Sequence, residues 1–117
     1  MPRILVLDDE PLIAMMLRDW LEELGCKTVG PVHSVRGALD LIGPGTLDAA
    51  ILDVSLGREN CYSVADVLCK LGIPIALATG YGGAGIDPRF KDALIMSKPF
   101  TFEAVKRVVD RLIGAHA

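Results

Sequence analysis

Histidine is scarce in this chain: His33 and His116 are the only two among 117 residues. One falls in an expected loop and the other near the C-terminal end, so neither points to a Ser-His-Asp arrangement or a metal site. Cysteine is limited to Cys26, Cys61 and Cys69, an odd number with no CxxC spacing. These read as reduced cytosolic thiols, packed as small buried or half-buried hydrophobes. No apolar run approaches the ~18 residues that span a bilayer. The opening MPRILVLDDE offers only Ile4 to Leu7 before two aspartates, too short for the apolar region of a signal peptide. Nor is either sign of charge in large excess: Lys+Arg 12 against Asp+Glu 15 leaves −3. That balance provides no general attraction to nucleic acid or anionic lipid. The expectation is a soluble, cytoplasmic domain with no direct nucleic-acid or membrane partner.

What is present is apolar and patterned. Hydrophobic residues make up 51% and charged residues 23%, a balance that suits a cored protein. The length implies one domain over residues 1–117.

Five short apolar runs alternate with longer amphipathic stretches. Ile4–Leu7, ended by Asp8 and Asp9, reads as a strand buried on both faces. Pro11 opens a helix that places Ile13, Met16, Leu17, Trp20 and Leu24 at helical spacing, with Gly25 as its stop. Met15 and Met16 read as packing residues. Thr28 to Val32 forms the second strand. Ser34 then caps a helix with Val35, Ala38, Leu39 and Ile42 on one side, closed by Gly43-Pro44-Gly45.

Leu47 to Leu52 is the third strand, ending at Asp53. Asn60 caps the next helix, whose apolar face is Val64, Val67, Leu68 and Leu71, with Gly72 beyond. Pro74 to Ala78 is the fourth strand, ending at Thr79. A glycine-rich loop and a weak helix around Asp87 to Asp92 follow. Ala93 to Met96 is the fifth strand, stopped by Ser97, Lys98 and Pro99. Thr101 caps a last helix carrying Phe102, Val105, Val109 and Leu112. Such alternation predicts an α/β fold, a flavodoxin-like, doubly wound, five-stranded parallel sheet of order 2-1-3-4-5 with five helices.

Ligands of such sheets bind outside the carboxyl ends of the strands. Those ends carry Asp8 and Asp9, Asp53, Thr79 and Lys98, from strands expected to be neighbours. Two carboxylates ~4 Å apart repel by about 4 kcal/mol at an effective dielectric near 20, so three of them call for a cation. Hard oxygen ligands favour a divalent ion such as Mg²⁺, which often completes its shell with phosphate oxygens. A metal, a lysine and a hydroxyl around one carboxylate are the parts that in-line phosphoryl transfer requires.

VLDDE at 6–10, ILD at 51–53, ATG at 78–80 and SKPF at 97–100 together resemble the signature of bacterial response-regulator receiver domains. The resemblance runs in order from Arg3 to about Ile113. It implies that Asp53 is the phosphoacceptor, taking a phosphoryl group from a histidine kinase or histidine phosphotransfer protein. It makes Asp9 the direct Mg²⁺ ligand, with Asp8 acting through a coordinated water and the Ser55 backbone carbonyl adding a ligand beside Asp53. Thr79 resembles the switch hydroxyl, Lys98 the ammonium that pairs with the phosphoryl group, and Pro99 the family's cis-proline. The resemblance leaves open the downstream protein partner and any phosphorylation-dependent homodimer.

The sequence also departs from that pattern. Typical receivers carry an aromatic three positions before the lysine, where this chain has Ile95. An aromatic stands instead at Tyr81, and we expect it to take over the reporting role. ALATGYGG at 76–83 and LDVSLGRENCYSVADVL at 52–68 resemble the FATGUY subgroup of receivers, with Leu77 in place of its usual phenylalanine. Gly80 to Gly85 formally matches GxGxxG, but it follows the fourth strand rather than the first and lacks the acidic residue that a dinucleotide site needs.

Two other function classes are weighed against the switch. A haloacid-dehalogenase-like phosphohydrolase also forms an aspartyl phosphate, but it needs a second aspartate two residues after its nucleophile. Asp8, Asp9 and Glu10 do not meet that spacing. A pseudo-receiver used only for protein contact is disfavoured by the intact acidic set.

Overall fold

The computed structural model describes residues 1–80 and 85–114. Its main sheet is built from β1 (Arg3–Leu7), β2 (Lys27–Val32), β3 (Ala49–Asp53), β6 (Ile75–Thr79) and β7 (Leu94–Ser97). A two-stranded hairpin, β4 (Ser55–Leu56) with β5 (Glu59–Asn60), lies between β3 and the next helix. The helices are α1 (Pro11–Glu23), α2 (Val35–Leu41), α3 (Tyr62–Lys70) and α4 (Phe102–Gly114). All four pairings of the main sheet are parallel, and the order is β2-β1-β3-β6-β7. Counting only these five strands, that is the expected 2-1-3-4-5.

The reason lies in which strands are apolar throughout. All five residues of β3 and all five of β6 are buried, as are Ile4 to Leu7 of β1. A strand covered by helices on both faces needs no polar alternation. Within it, successive side chains point to opposite faces. Leu5, Leu7, Ala50, Leu52 and Leu77 therefore pack with Ala38, Val64 and Leu68 beneath α2 and α3. Ile4, Val6, Ala49, Ile51, Ala76 and Ala78 pack with Leu17, Leu21, Val105, Val109 and Leu112 beneath α1 and α4. The edge strand β2 is only half covered. Its Gly30 has φ +94°, and a Cβ there would sit 2.7 Å from the Val32 nitrogen.

Several local expectations hold. The Ser34 hydroxyl accepts from the Gly37 N–H at 3.1 Å, and the Thr101 hydroxyl accepts from the Ala104 N–H at 3.1 Å. Gly25 and Gly72 follow their helices with φ +82° and +73°.

Others need correcting. The fifth helix is absent among the described residues: between β6 and β7 stands only a 3₁₀ turn, Pro88–Phe90. The expected helix around Asp87 to Asp92 spans only six residues, too few to overcome the nucleation cost of an α-helix. The hairpin was not expected, because two-residue strands carry no readable periodicity. Asn60 belongs to β5, and its side chain accepts from the Tyr62 N–H one residue ahead of a helix-capping bond. Leu39 and Leu71 are exposed rather than on the apolar faces, since α2 is short and Leu71 lies past the end of α3. Met16 packs, whereas Met15 is exposed. Cys26 and Cys61 are buried thiols, but Cys69 is exposed. Among the described residues no helix is long and apolar enough to cross a membrane. Tyr81, the glycines at 82 and 83, and His116 lie outside the described residues.

Candidate functional site

The candidate groups stand at strand ends: Asp8, Asp53 and Thr79 at those of the buried β1, β3 and β6, and Lys98 just past the half-buried β7. Asp8 follows β1, and its N–H donates to the Val32 carbonyl at 3.0 Å, which keeps the chain extended past the strand. Asp53 is the last residue of β3, paired in register with Ala78 of β6. Thr79 ends β6 opposite Ser97 of β7, and its carbonyl accepts from the Lys98 N–H at 2.9 Å. That bond and a cis Lys98–Pro99 peptide accompany the lysine's exit from the sheet. Asp8, Asp53 and Thr79 are the buried polar residues of the described chain.

The side chains converge. Lys98 Nζ donates to Asp53 Oδ2 at 2.9 Å and to Glu10 Oε1 at 2.8 Å, and lies 3.6 Å from Asp8 Oδ2. Asp8, Asp9, Glu10 and Asp53 can each place one carboxylate oxygen within 4.8 Å of the others. Asp53 Oδ1 accepts from the Ser55 N–H at 3.3 Å, and Asp8 Oδ1 from the Glu10 N–H at 2.8 Å. Above them opens a cleft of about 460 Å³ lined by Asp9, Glu10, Asp53, Ser55, Gly57, Gly80 and Lys98.

Burial sets the electrostatics. Loss of solvent pushes the Asp53 carboxyl up to about 6, with Asp8 adding repulsion and Lys98 opposing both. Asp8 is raised for the same first reason. Burial would lower Lys98, but its bonds to Glu10 and Asp53 and the charge of Asp8 outweigh that and raise it. One ammonium therefore faces four carboxylates. Asp8 Oδ2 is buried with no hydrogen bond, and a buried unmade bond is costly. A hard divalent cation fits this donor set: it would occupy the orphaned oxygen and offset the excess negative charge.

The structure thus brings together Asp8, Asp9, Asp53 and Lys98, with Ser55 on the cleft wall and Thr79 at the adjoining strand end. Glu10 was not singled out from the sequence, although it is the third acid of VLDDE. Its role is visible only once Lys98, 88 residues away, is seen bonded to it. The buried Cys61 thiol, pushed up to about 12 by burial, is inert beside this site.

A cleft of this kind, at the carboxyl ends of a 2-1-3-4-5 sheet, defines a phosphorylation-dependent signalling module of the two-component type. The chain belongs to the response regulator receiver domain family, whose pattern matches residues 4–110. It is similar to SdrG from Sphingomonas melonis Fr1, with 45% identity, TM-score 0.84 and 97% of each chain covered. The BeF3-activated conformation of SdrG matches at 46% identity and TM-score 0.81, covering 95% of each chain. The transcriptional regulatory protein PdtaR of Mycobacterium tuberculosis is 31% identical over 103 residues, covering 85% of this chain and 50% of PdtaR. The chain spans about half the length of the curated relatives it matches.

Proposed function

We propose that residues 1–117 form a receiver domain in which Asp53 accepts a phosphoryl group from a histidine kinase or histidine phosphotransfer protein. The observation that carries this reading is the pairing of Asp53 Oδ2 with Lys98 beside the orphaned, buried Asp8 Oδ2. Asp53 Oδ2 attacks phosphorus in line as the donor's P–N bond breaks, and that electron pair stays on the imidazole nitrogen. Lys98 then transfers its hydrogen bond from the carboxylate to a phosphoryl oxygen. Thr79, at the neighbouring strand end, turns its hydroxyl toward another.

Asp8, Asp9, Asp53 and the Ser55 carbonyl would hold Mg²⁺. When bound, the ion supplies the positive charge that lets an anionic donor approach three carboxylates. In SdrG a BeF3-activated conformation exists, which supports a comparable activated form here. The switched surface then binds a downstream protein in the cytoplasm. The only chemistry proposed is the domain's own phosphotransfer and autodephosphorylation. A phosphohydrolase is not supported, because the acids after β1 lack the aspartate spacing it needs.

The test is incubation with a small phosphodonor and Mg²⁺. Stoichiometric, acid-labile phosphate lost in Asp53→Ala supports the reading, and labelling that survives this substitution refutes it. Multiple turnover of substrate would instead indicate a hydrolase.

A further inference from the structure

Lys98 has two jobs that conflict. Its ammonium must neutralise Asp53 and Asp8 in the metal-free protein, yet a divalent cation needs those same oxygens. Two like charges cannot both sit within 3–4 Å of Asp8 Oδ2 and Asp53 Oδ2 without strong repulsion. The ammonium therefore needs a second place to bind, close enough that it stays available for a phosphoryl group.

Glu10 provides that place. It is the residue that precedes α1, with extended φ and ψ, yet its side chain makes no capping hydrogen bond to that helix. The carboxylate turns the other way, and Oε1 accepts from Lys98 Nζ at 2.8 Å. Its backbone is fixed by the site as well, through the N–H donated to Asp8 Oδ1. Burial is graded along this chain of partners. The Asp8 and Asp53 side chains are 1% and 5% exposed, Lys98 17% and Glu10 58%. The ammonium thus bridges a buried pair of carboxylates and one at the rim.

Resting on the Mg²⁺ reading above, we propose that Glu10 is a positioning residue: it holds the Lys98 ammonium at the rim of the cleft when a divalent cation takes Asp8 and Asp53. Without Glu10, the ammonium of the metal-free protein still has Asp53 and Asp8, whereas the displaced ammonium would have no carboxylate partner, and metal binding would bear that difference.

The test is a double-mutant cycle read by calorimetric Mg²⁺ titration of the full chain. Glu10→Gln is expected to weaken Mg²⁺ binding about three- to fivefold, the upper range for a half-exposed ion pair. Lys98→Ala alone should tighten binding by removing the competitor. In the Lys98→Ala background, Glu10→Gln should then have no effect. Glu10→Asp, which keeps the charge but shortens the reach, should behave like Glu10→Gln.

An equal loss with and without Lys98 would make Glu10 a ligand or a general negative charge, and would overturn the proposal. Unchanged affinity in Glu10→Gln, or wild-type affinity in Glu10→Asp, would overturn it too. A wild-type chain that binds no Mg²⁺ removes the reading beneath it. Binding without coupling removes only the role of Glu10.

Discussion

Lys98 Nζ and Asp53 Oδ2 lie 2.9 Å apart although the residues are 45 positions apart in sequence. The two strands that deliver them are not neighbours: β6 runs between β3 and β7. The lysine reaches across the end of β6, and this closes the cleft over the carboxylate. Asp53 is consequently buried, paired and still open to the cleft on one side.

That burial predicts an inverted pH dependence of stability in the metal-free protein. The Asp53 carboxyl is raised from an ordinary 3.8 to about 6, so the fold prefers it protonated. Its contribution to stability is fully present below about pH 4 and is lost as pH rises through about 6. Asp53→Asn should therefore raise Tm at pH 7.5 without metal, and the gain should vanish near pH 4. Thermal melts at the two pH values in chelator check this. A gain that persists at pH 4 would contradict it.

Metal should reverse the penalty. Any ligand that binds only the folded state stabilises it, by about 2.7 kcal/mol at a hundred times its Kd. Mg²⁺ should raise Tm at pH 7.5, chelator should restore the lower value, and Asp9→Ala should abolish the response. A Tm shift of wild-type size in Asp9→Ala would exclude Asp9 as a ligand.

A third prediction concerns the segment that replaces the expected fifth helix. The Tyr62 hydroxyl accepts from the Asp87 N–H at 2.9 Å, and its ring stacks on Phe90 with centroids 5.4 Å apart. Tyr62→Phe keeps the stack and deletes the acceptor. Such a hydrogen bond contributes about 0.5–1.5 kcal/mol, so exchange of the Asp87 amide should accelerate up to about tenfold. Hydrogen-exchange NMR reads this directly. Unchanged protection would mean that the stack alone holds the turn against α3.

Packing supplies the contrast case. Leu68 is fully buried between α3 and the sheet, while Leu12 on α1 is 81% exposed. Leu68→Ala should cost about 2–5 kcal/mol by lost transfer and a cavity. Leu12→Ala should stay within about 0.5 kcal/mol. Urea unfolding separates the two, and comparable losses would place Leu12 in an unrecognised contact.

The strand order was legible because β1, β3 and β6 each carry an unbroken apolar run that ends abruptly in a polar residue. Asp8, Asp9, Asp53 and Thr79 were legible for the same reason, each standing where a buried strand stops, and Lys98 because it ends the short apolar run of β7. The hairpin at Ser55–Asn60 was not, since two residues per strand leave no pattern. The 3₁₀ turn was anticipated only as a weak helix, because its anchors, Tyr62 and Asp66, lie on α3 more than twenty residues earlier. Glu10 was not legible, because the lysine it meets lies 88 residues away in sequence.

Local chemistry alone specified the five main strands, four of the helices, the Ser34 and Thr101 caps and the set of polar strand ends, because burial on two faces demands unbroken apolar runs. Folding in three dimensions decided what those charges do to one another. Distance and desolvation set which carboxylate shares the ammonium, which oxygen is left without a hydrogen, and how far Asp53 departs from its ordinary titration. These depend on separations of a few ångströms across a sheet, and no spacing along the chain encodes them.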